Sequence, residues 1–159
     1  MSLKKATADA LAFLYSEYKK EGNPGGVISP YAVENGIDEG ELGTHLRDRG
    51  WAKEVRLMPR NVWGEITIMG INQVDPYVIP AKEIDVIEGL GKAGGRGNLT
   101  DIWDHDIGQF GFSLALANYF QDSGLIRIEA SFFAENQIVA VLSVRGKEEF
   151  QNSPVFFNG

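Results

Sequence analysis

Two pieces of sequence decide how this chain reads: Leu46-Arg47-Asp48-Arg49-Gly50-Trp51 and, downstream of it, Ile66-Thr67-Ile68-Met69-Gly70-Ile71. The first piece is the end of a helix. Leu42 and Leu46 stand four residues apart on one face, Asp38 occupies the capping position, and Gly50 supplies the stop. A β-hairpin follows. Val55 and Leu57 alternate with charged residues, Pro59 to Gly64 is expected to turn, and Glu65-Ile66-Thr67-Ile68 returns. Gly70 then leads into a short apolar stretch containing Ile71 and Val74, which Pro76 ends.

Upstream, Ala10, Leu11, Phe13, Leu14 and Tyr18 recur at helical spacing and predict a helix over residues 4–21. The run Gly22-Asn23-Pro24-Gly25-Gly26 stops it, because those residues favour positive φ or block a helix. Val27-Ile28 reads as a short extended piece, and Pro30 opens a brief helix that Gly36 ends. The order is therefore helix, strand, helix, helix, strand, turn, strand.

The pattern repeats. A shift of 74 residues places Leu42 on Leu116, Leu46 on Phe120, Gly50 on Gly124 and Trp51 on Leu125. A shift of 76 places Ile66 on Leu142, Ile68 on Val144, Gly70 on Gly146 and Val74 on Phe150. The two-residue difference falls between the hairpin strands, where insertions are tolerated. In the second copy Ser113 to Asp122 is the helix, Leu125–Ala130 and Ile138–Val144 are the strands, and Arg145-Gly146 leads into a final helical turn.

Together these residues resemble the winged-helix superfamily. The recognition-helix ending and the Ile-Thr-x-x-Gly closure of the wing are echoed by Tyr119-Phe120-Gln121-Asp122-Ser123-Gly124-Leu125-Ile126 and by Leu142-Ser143-Val144-Arg145-Gly146-Lys147. The resemblance implies an α+β chain of two tandem small winged-helix domains, each of three helices plus a β-hairpin wing. They are expected at residues 4–79 and 99–152, with a Gly-rich linker and weak first helix at 80–98 and an apolar tail at 153–159. It also implies a binding module without catalytic machinery: the leading expectation is a DNA-binding or transcription-regulator-like role through the first copy, and the alternative is an acidic protein–protein adaptor or dimerisation scaffold with no DNA binding.

Composition narrows the classes. The 159 residues carry 15 Lys plus Arg against 22 Asp plus Glu, a net charge of −7, with 43% hydrophobic residues. That is the balance of a folded chain, too acidic to coat nucleic acid indiscriminately. No apolar run approaches the ~20 residues a membrane helix needs. No signal-peptide pattern follows Met1, and with no cysteine a cytoplasmic location is expected.

The first copy's recognition helix begins Asp38-Glu39-Gly40-Glu41, favourable to the helix dipole and unfavourable to phosphate. Beyond it His45, Arg47, Arg49, Lys53, Arg56, Arg60 and Asn61 are the candidate nucleic-acid contacts, with a wing-tip arginine suited to a minor groove. The same charges are what a solvated face carries to balance Asp48, Glu54 and Glu65. The second recognition helix has no basic residue. Its Phe110, Phe112 and Tyr119, with Phe156 and Phe157 of the tail, are the candidate protein interface or homodimer contacts. They serve equally as core. Residues 1–80 carry 9 basic and 11 acidic groups and residues 81–159 carry 6 and 11, so the second copy suits a partner-binding role better than DNA.

Sharper chemistry finds little support. Gly89-Leu90-Gly91-Lys92-Ala93-Gly94 matches a dinucleotide pattern, yet the glycines run on into Gly95-Arg96-Gly97 with no helix directly after, so a flexible linker is expected and no cofactor. Asp101, Asp104, His105 and Asp106 fit neither a calcium loop nor a zinc site, and no metal is expected; Thr100 ahead of them reads as a helix cap.

Overall fold

In the computed structural model, which describes residues 2–153, the chain divides into two units, 1–76 and 77–159. Unit 1 runs α1 (Leu3–Glu21), β1 (Gly25–Val27), α2 (Ser29–Glu34), α3 (Glu39–Asp48), β2 (Ala52–Met58), β3 (Asn61–Ile66) and α4 (Ile68–Val74). Unit 2 repeats that order as α5 (Val78–Lys92), β4 (Arg96–Asn98), α6 (Leu99–Ile102), α7 (Phe110–Asp122), β5 (Ile126–Phe132), β6 (Gln137–Leu142) and α8 (Val144–Asn152), adding a 3-10 turn, Ile107–Gln109, before α7. Each unit is α+β with a three-stranded antiparallel sheet, ordered β1-β3-β2 in one and β4-β6-β5 in the other.

The registers show how deep the duplication goes. Gly25 pairs with Glu65 and Arg96 with Val141; Ile66 N–H donates to the Pro24 carbonyl at 2.9 Å and Leu142 N–H to the Gly95 carbonyl at 2.8 Å. Both long edge strands carry an irregularity, between Lys53 and Arg56 and between Ile128 and Ala130. Such a bulge spoils an edge as a template for pairing with a foreign strand.

The core of unit 1 is built on Leu11 and Leu14 of α1, Ile28, Leu42 and Leu46 of α3, and Ile71 of α4, all at most 1% exposed. Unit 2 packs Leu90, Leu99, Phe112, Leu116, Phe120 and Leu125 in the same way.

Four expectations need correction. The stretch 80–98 is no linker: it is most of α5, a turn through Gly94 and Gly95, and β4. Ile79, Val86, Ile87 and Leu90 bury one face of α5, matching Thr7, Leu14, Tyr15 and Tyr18 of α1. Its glycines are packing devices. A Cβ on Gly89 would lie 2.9 Å from Ile102, and one on Gly91 would collide with the Phe150 ring. Unit 2 accordingly starts at Tyr77 rather than at residue 99.

Second, the first hairpin turns at Pro59-Arg60, with Met58 opposite Asn61, so Asn61 is a strand residue. Arg60 accepts a φ of 60°, and Val62, Gly64 and Ile66 alternate inward from there. Third, β3 ends at Ile66, because Thr67 caps α4 with its side chain accepting from Gly70 N–H. Fourth, among the described residues each unit holds four helices rather than three. The tail positions Phe156 and Phe157 lie outside the described residues.

Candidate binding surfaces

In unit 1, α3 is capped by Asp38, whose Oδ2 accepts from Glu41 N–H at 2.9 Å. Leu42, Gly43 and Leu46 face inward. A Cβ on Gly43 would stand 2.8 Å from both Leu57 and Val62, so the hairpin lies directly on the helix. The Arg60 N–H donates to Glu39 Oε2 at 2.8 Å. That bond sets the hairpin turn beside the acidic first turn of α3.

The candidate nucleic-acid residues fall into two groups. At the C-terminal end of α3, Trp51 collects two of them: His45 meets its ring edge-on at 5.8 Å, and the Arg49 guanidinium stands 5.8 Å from its centroid. Arg47, on the same turn, has its Nε 3.6 Å from Asp48. On the hairpin, Arg56 lies over the Trp63 ring at 4.5 Å, a cation–π contact, and Lys53 is opposite Glu65 in register. Lys53, Arg56, Arg60 and Asn61 are all exposed. Carboxylates are interleaved throughout: residues 38–65 hold five Lys or Arg against six Asp or Glu.

Unit 2 corrects part of the expected interface. Phe110 and Phe112 are 6% and 2% exposed, and the Phe112 ring sits 5.6 Å from His105 inside the core. Tyr119 is exposed and rests edge-on against Phe120. Phe132 and Phe133 at the end of β5 also reach solvent, 48% and 64% exposed, with Phe133 edge-on to Phe110 at 5.4 Å. Met58 in unit 1 occupies the place of Phe132, being paired with Asn61 as Phe132 is with Gln137; Leu57 and Met58 are also exposed. Both hairpins thus end in apolar side chains. The sequence carries the signal in two apolar residues adjoining each turn, where alternation would have placed one.

Of Asp101, Asp104, His105 and Asp106, the histidine makes the tightest contacts. His105 is buried, its Nδ1 2.6 Å from Ser113 Oγ and its Nε2 3.0 Å from Lys82 Nζ. Ser113 donates to the Gln109 carbonyl at 3.1 Å, so the imidazole must donate to Ser113 through Nδ1 and accept from the Lys82 ammonium through Nε2. Burial, then the Lys82 charge, push the His105 pKa down to about 4, and burial lowers that of Lys82. This imidazole cannot take a proton from Ser113, because Nδ1 already carries one, and Ser113 is fully buried. Among the described residues no group of three or more His, Cys, Asp or Glu could hold a metal ion.

Unit 1 also has a groove of about 750 Å3 between α1, the end of α3 and α4, with Trp51, His45 and Arg49 in its wall. No helix among the described residues is long and apolar enough to cross a membrane. The chain matches no family model, no curated protein and no solved structure.

Proposed function

We propose that each unit is a winged helix and that the chain is a non-enzymatic, acidic protein–protein adaptor. The observation that carries the reading is the composition of the two hairpin ends. Exposed Leu57 and Met58 adjoin one turn, and exposed Phe132 and Phe133 the other. Arg60 sits at the first of these ends, but the second carries no cation between Phe132 and Gln137, and paired apolar groups that water cannot satisfy fit the buried centre of a protein contact. The acidic first turn of α3, held against the first hairpin through Glu39, favours the same choice. A second copy of the chain is the simplest partner.

The test is the mass of the full chain in solution, by light scattering behind size exclusion, over a hundredfold range of concentration. Mass is expected to rise with concentration for the wild type and to stay monomeric for Phe132→Ser/Phe133→Ser at an unchanged melting temperature. A wild type that stays monomeric throughout removes self-association, and the reading then needs a different protein partner. Apolar ends that can be made polar with no effect on any protein contact overturn it.

DNA contact through unit 1 is the second reading, favoured by Arg56 held over Trp63 and by Arg60 at the hairpin turn. Binding to a mixed-sequence fluorescent duplex would have to fall steeply with salt, and Arg49→Ala/Arg60→Ala would have to flatten that slope by about one to two units.

A further inference from the structure

We propose that the groove in unit 1 binds a small aromatic carboxylate. Its volume of about 750 Å3 lies within the range of small-molecule sites. Ala8, Leu11 and Val74 give it an apolar floor, which a hydrocarbon ring would cover. Trp51 supplies an aromatic wall, partly buried, on which a second ring can stack or meet edge to face.

Charge selects the class of ligand. Lys4, His45 and Arg49 stand on the wall, and the one carboxylate among the groove residues is Asp9. Asp9 is already engaged, accepting from Lys5 Nζ at 2.8 Å and from Asn35 Nδ2 at 3.3 Å, and these two hydrogen bonds hold its carboxyl below the usual carboxylate range. The groove therefore presents a cationic rim around an apolar floor. Arg49 is the strongest element of that rim. Its guanidinium is positioned by the Trp51 face and has no carboxylate partner among the described residues, so its planar donor edge can take a carboxylate in two parallel hydrogen bonds.

A buried polar group also borders the groove. Thr7 lines the groove, is 6% exposed, and its hydroxyl has no hydrogen-bond partner among the described residues. A buried hydroxyl without a partner is costly, and helix interiors offer the i−4 carbonyl that Thr7 does not use. Thr7 belongs to the wall of the groove, and its amide reports on a ligand there.

The site stands apart from the protein-contact reading and can fail without it. Its test uses 2-naphthoate and the uncharged 2-naphthamide as probes, on the full 15N-labelled chain. The chain has three tryptophans, so three indole N–H resonances report, with Trp51 assigned by Trp51→Phe. Naphthoate should move the Trp51 indole and Thr7 amide signals with a dissociation constant below about 1 mM. Naphthamide should bind at least about tenfold more weakly, and Arg49→Gln should weaken naphthoate by about tenfold at an unchanged melting temperature. Equal affinity for the two probes, an Arg49→Gln variant that binds as well as the wild type, shifts confined to Trp63 or Trp103, or no shift at about 5 mM naphthoate would each overturn the proposal.

Discussion

The Thr67 hydroxyl donates to the Gly50 carbonyl at 2.7 Å, tying the start of α4 to the end of the turn that closes α3. The same oxygen accepts from Gly70 N–H at 3.1 Å. Unit 2 repeats both bonds with Ser143, which donates to the Gly124 carbonyl at 2.6 Å and accepts from Gly146 N–H at 3.0 Å. The glycine is needed because the backbone passes so close: a Cβ on Gly70 would run into the Trp51 carbonyl, and one on Gly146 would lie 2.5 Å from that of Leu125.

Two substitutions separate the hydroxyl from the close approach. Thr67→Ala should destabilise unit 1 by on the order of 1 to 2 kcal/mol, a lost cap plus a carbonyl left with one partner fewer. Thr67→Ser should stay within about 0.5 kcal/mol, since serine does this work in unit 2. Gly70→Ala should cost more than Thr67→Ala, because the obstacle is backbone that cannot step aside. Urea denaturation of the three variants gives the order, and a Gly70→Ala variant as stable as the wild type would refute the account.

This lock is also where the sequence was most legible. Gly50 recurs as Gly124 because both helix stops take a positive φ, 74° and 82°, and Gly70 recurs as Gly146 because each backbone passes too close to a carbonyl for a Cβ. Thr67, Asp38 and Gly22 likewise announce helix ends through bonds made within a few residues. The stretch 80–98 was misread for the opposite reason. Gly89 and Gly91 look like flexibility in a sequence, yet their cause is the rings and branches of Ile102 and Phe150, which are brought to them only by folding. Assigning Phe110 and Phe112 to an interface fails on the same ground. A run containing Phe110, Phe112, Leu116 and Phe120 has no period that says how many aromatics one core can take. The core took Phe110 and Phe112 and left Phe132 and Phe133 outside.

The misreading yields a prediction of sign. In an exposed helix, glycine to alanine gains about 1 kcal/mol. In α5 both Gly89→Ala and Gly91→Ala should instead destabilise unit 2, by roughly 1 to 3 kcal/mol, as overpacked sites do. Gly91→Ala paired with Phe150→Leu should recover part of the loss, because the smaller side chain gives way. Thermal melts decide it, and two stabilised single variants would show that neither glycine is tightly packed.

Buried His105 makes stability depend on pH in a definite window. In the unfolded chain the imidazole takes up a proton near its ordinary value of 6.5, while in the folded chain it does so only near 4. Above that window the group is neutral in both states and contributes nothing to the pH dependence. As pH falls from about 6.5 towards 4, the unfolded state binds more protons and stability drops, by on the order of 2 to 3 kcal/mol. His105→Gln, whose amide can donate and accept without titrating, should flatten the fall between pH 6.5 and 5, where few carboxylates yet titrate. Equal slopes for the two proteins would remove His105 as the cause.

Carboxylates interleave with the arginines of unit 1 and weaken the field they present to a phosphate. Glu41 and Asp48 are exposed on α3; Asp48 sits 3.6 Å from Arg47, and neither side chain caps the helix or pins the hairpin. Glu41→Gln/Asp48→Asn turns the charge of residues 38–65 from −1 to +1 and releases Arg47, at little cost to folding beyond the first-turn dipole. If interleaved carboxylates are what hold DNA off, the double variant should bind a mixed-sequence duplex at low salt more tightly than the wild type. Its salt slope should also be steeper by about one unit, as one additional phosphate contact requires. Fluorescence anisotropy at two salt concentrations measures both quantities. Were the wild type to bind with a slope of several units by itself, the carboxylates would be bystanders and the DNA reading would take first place.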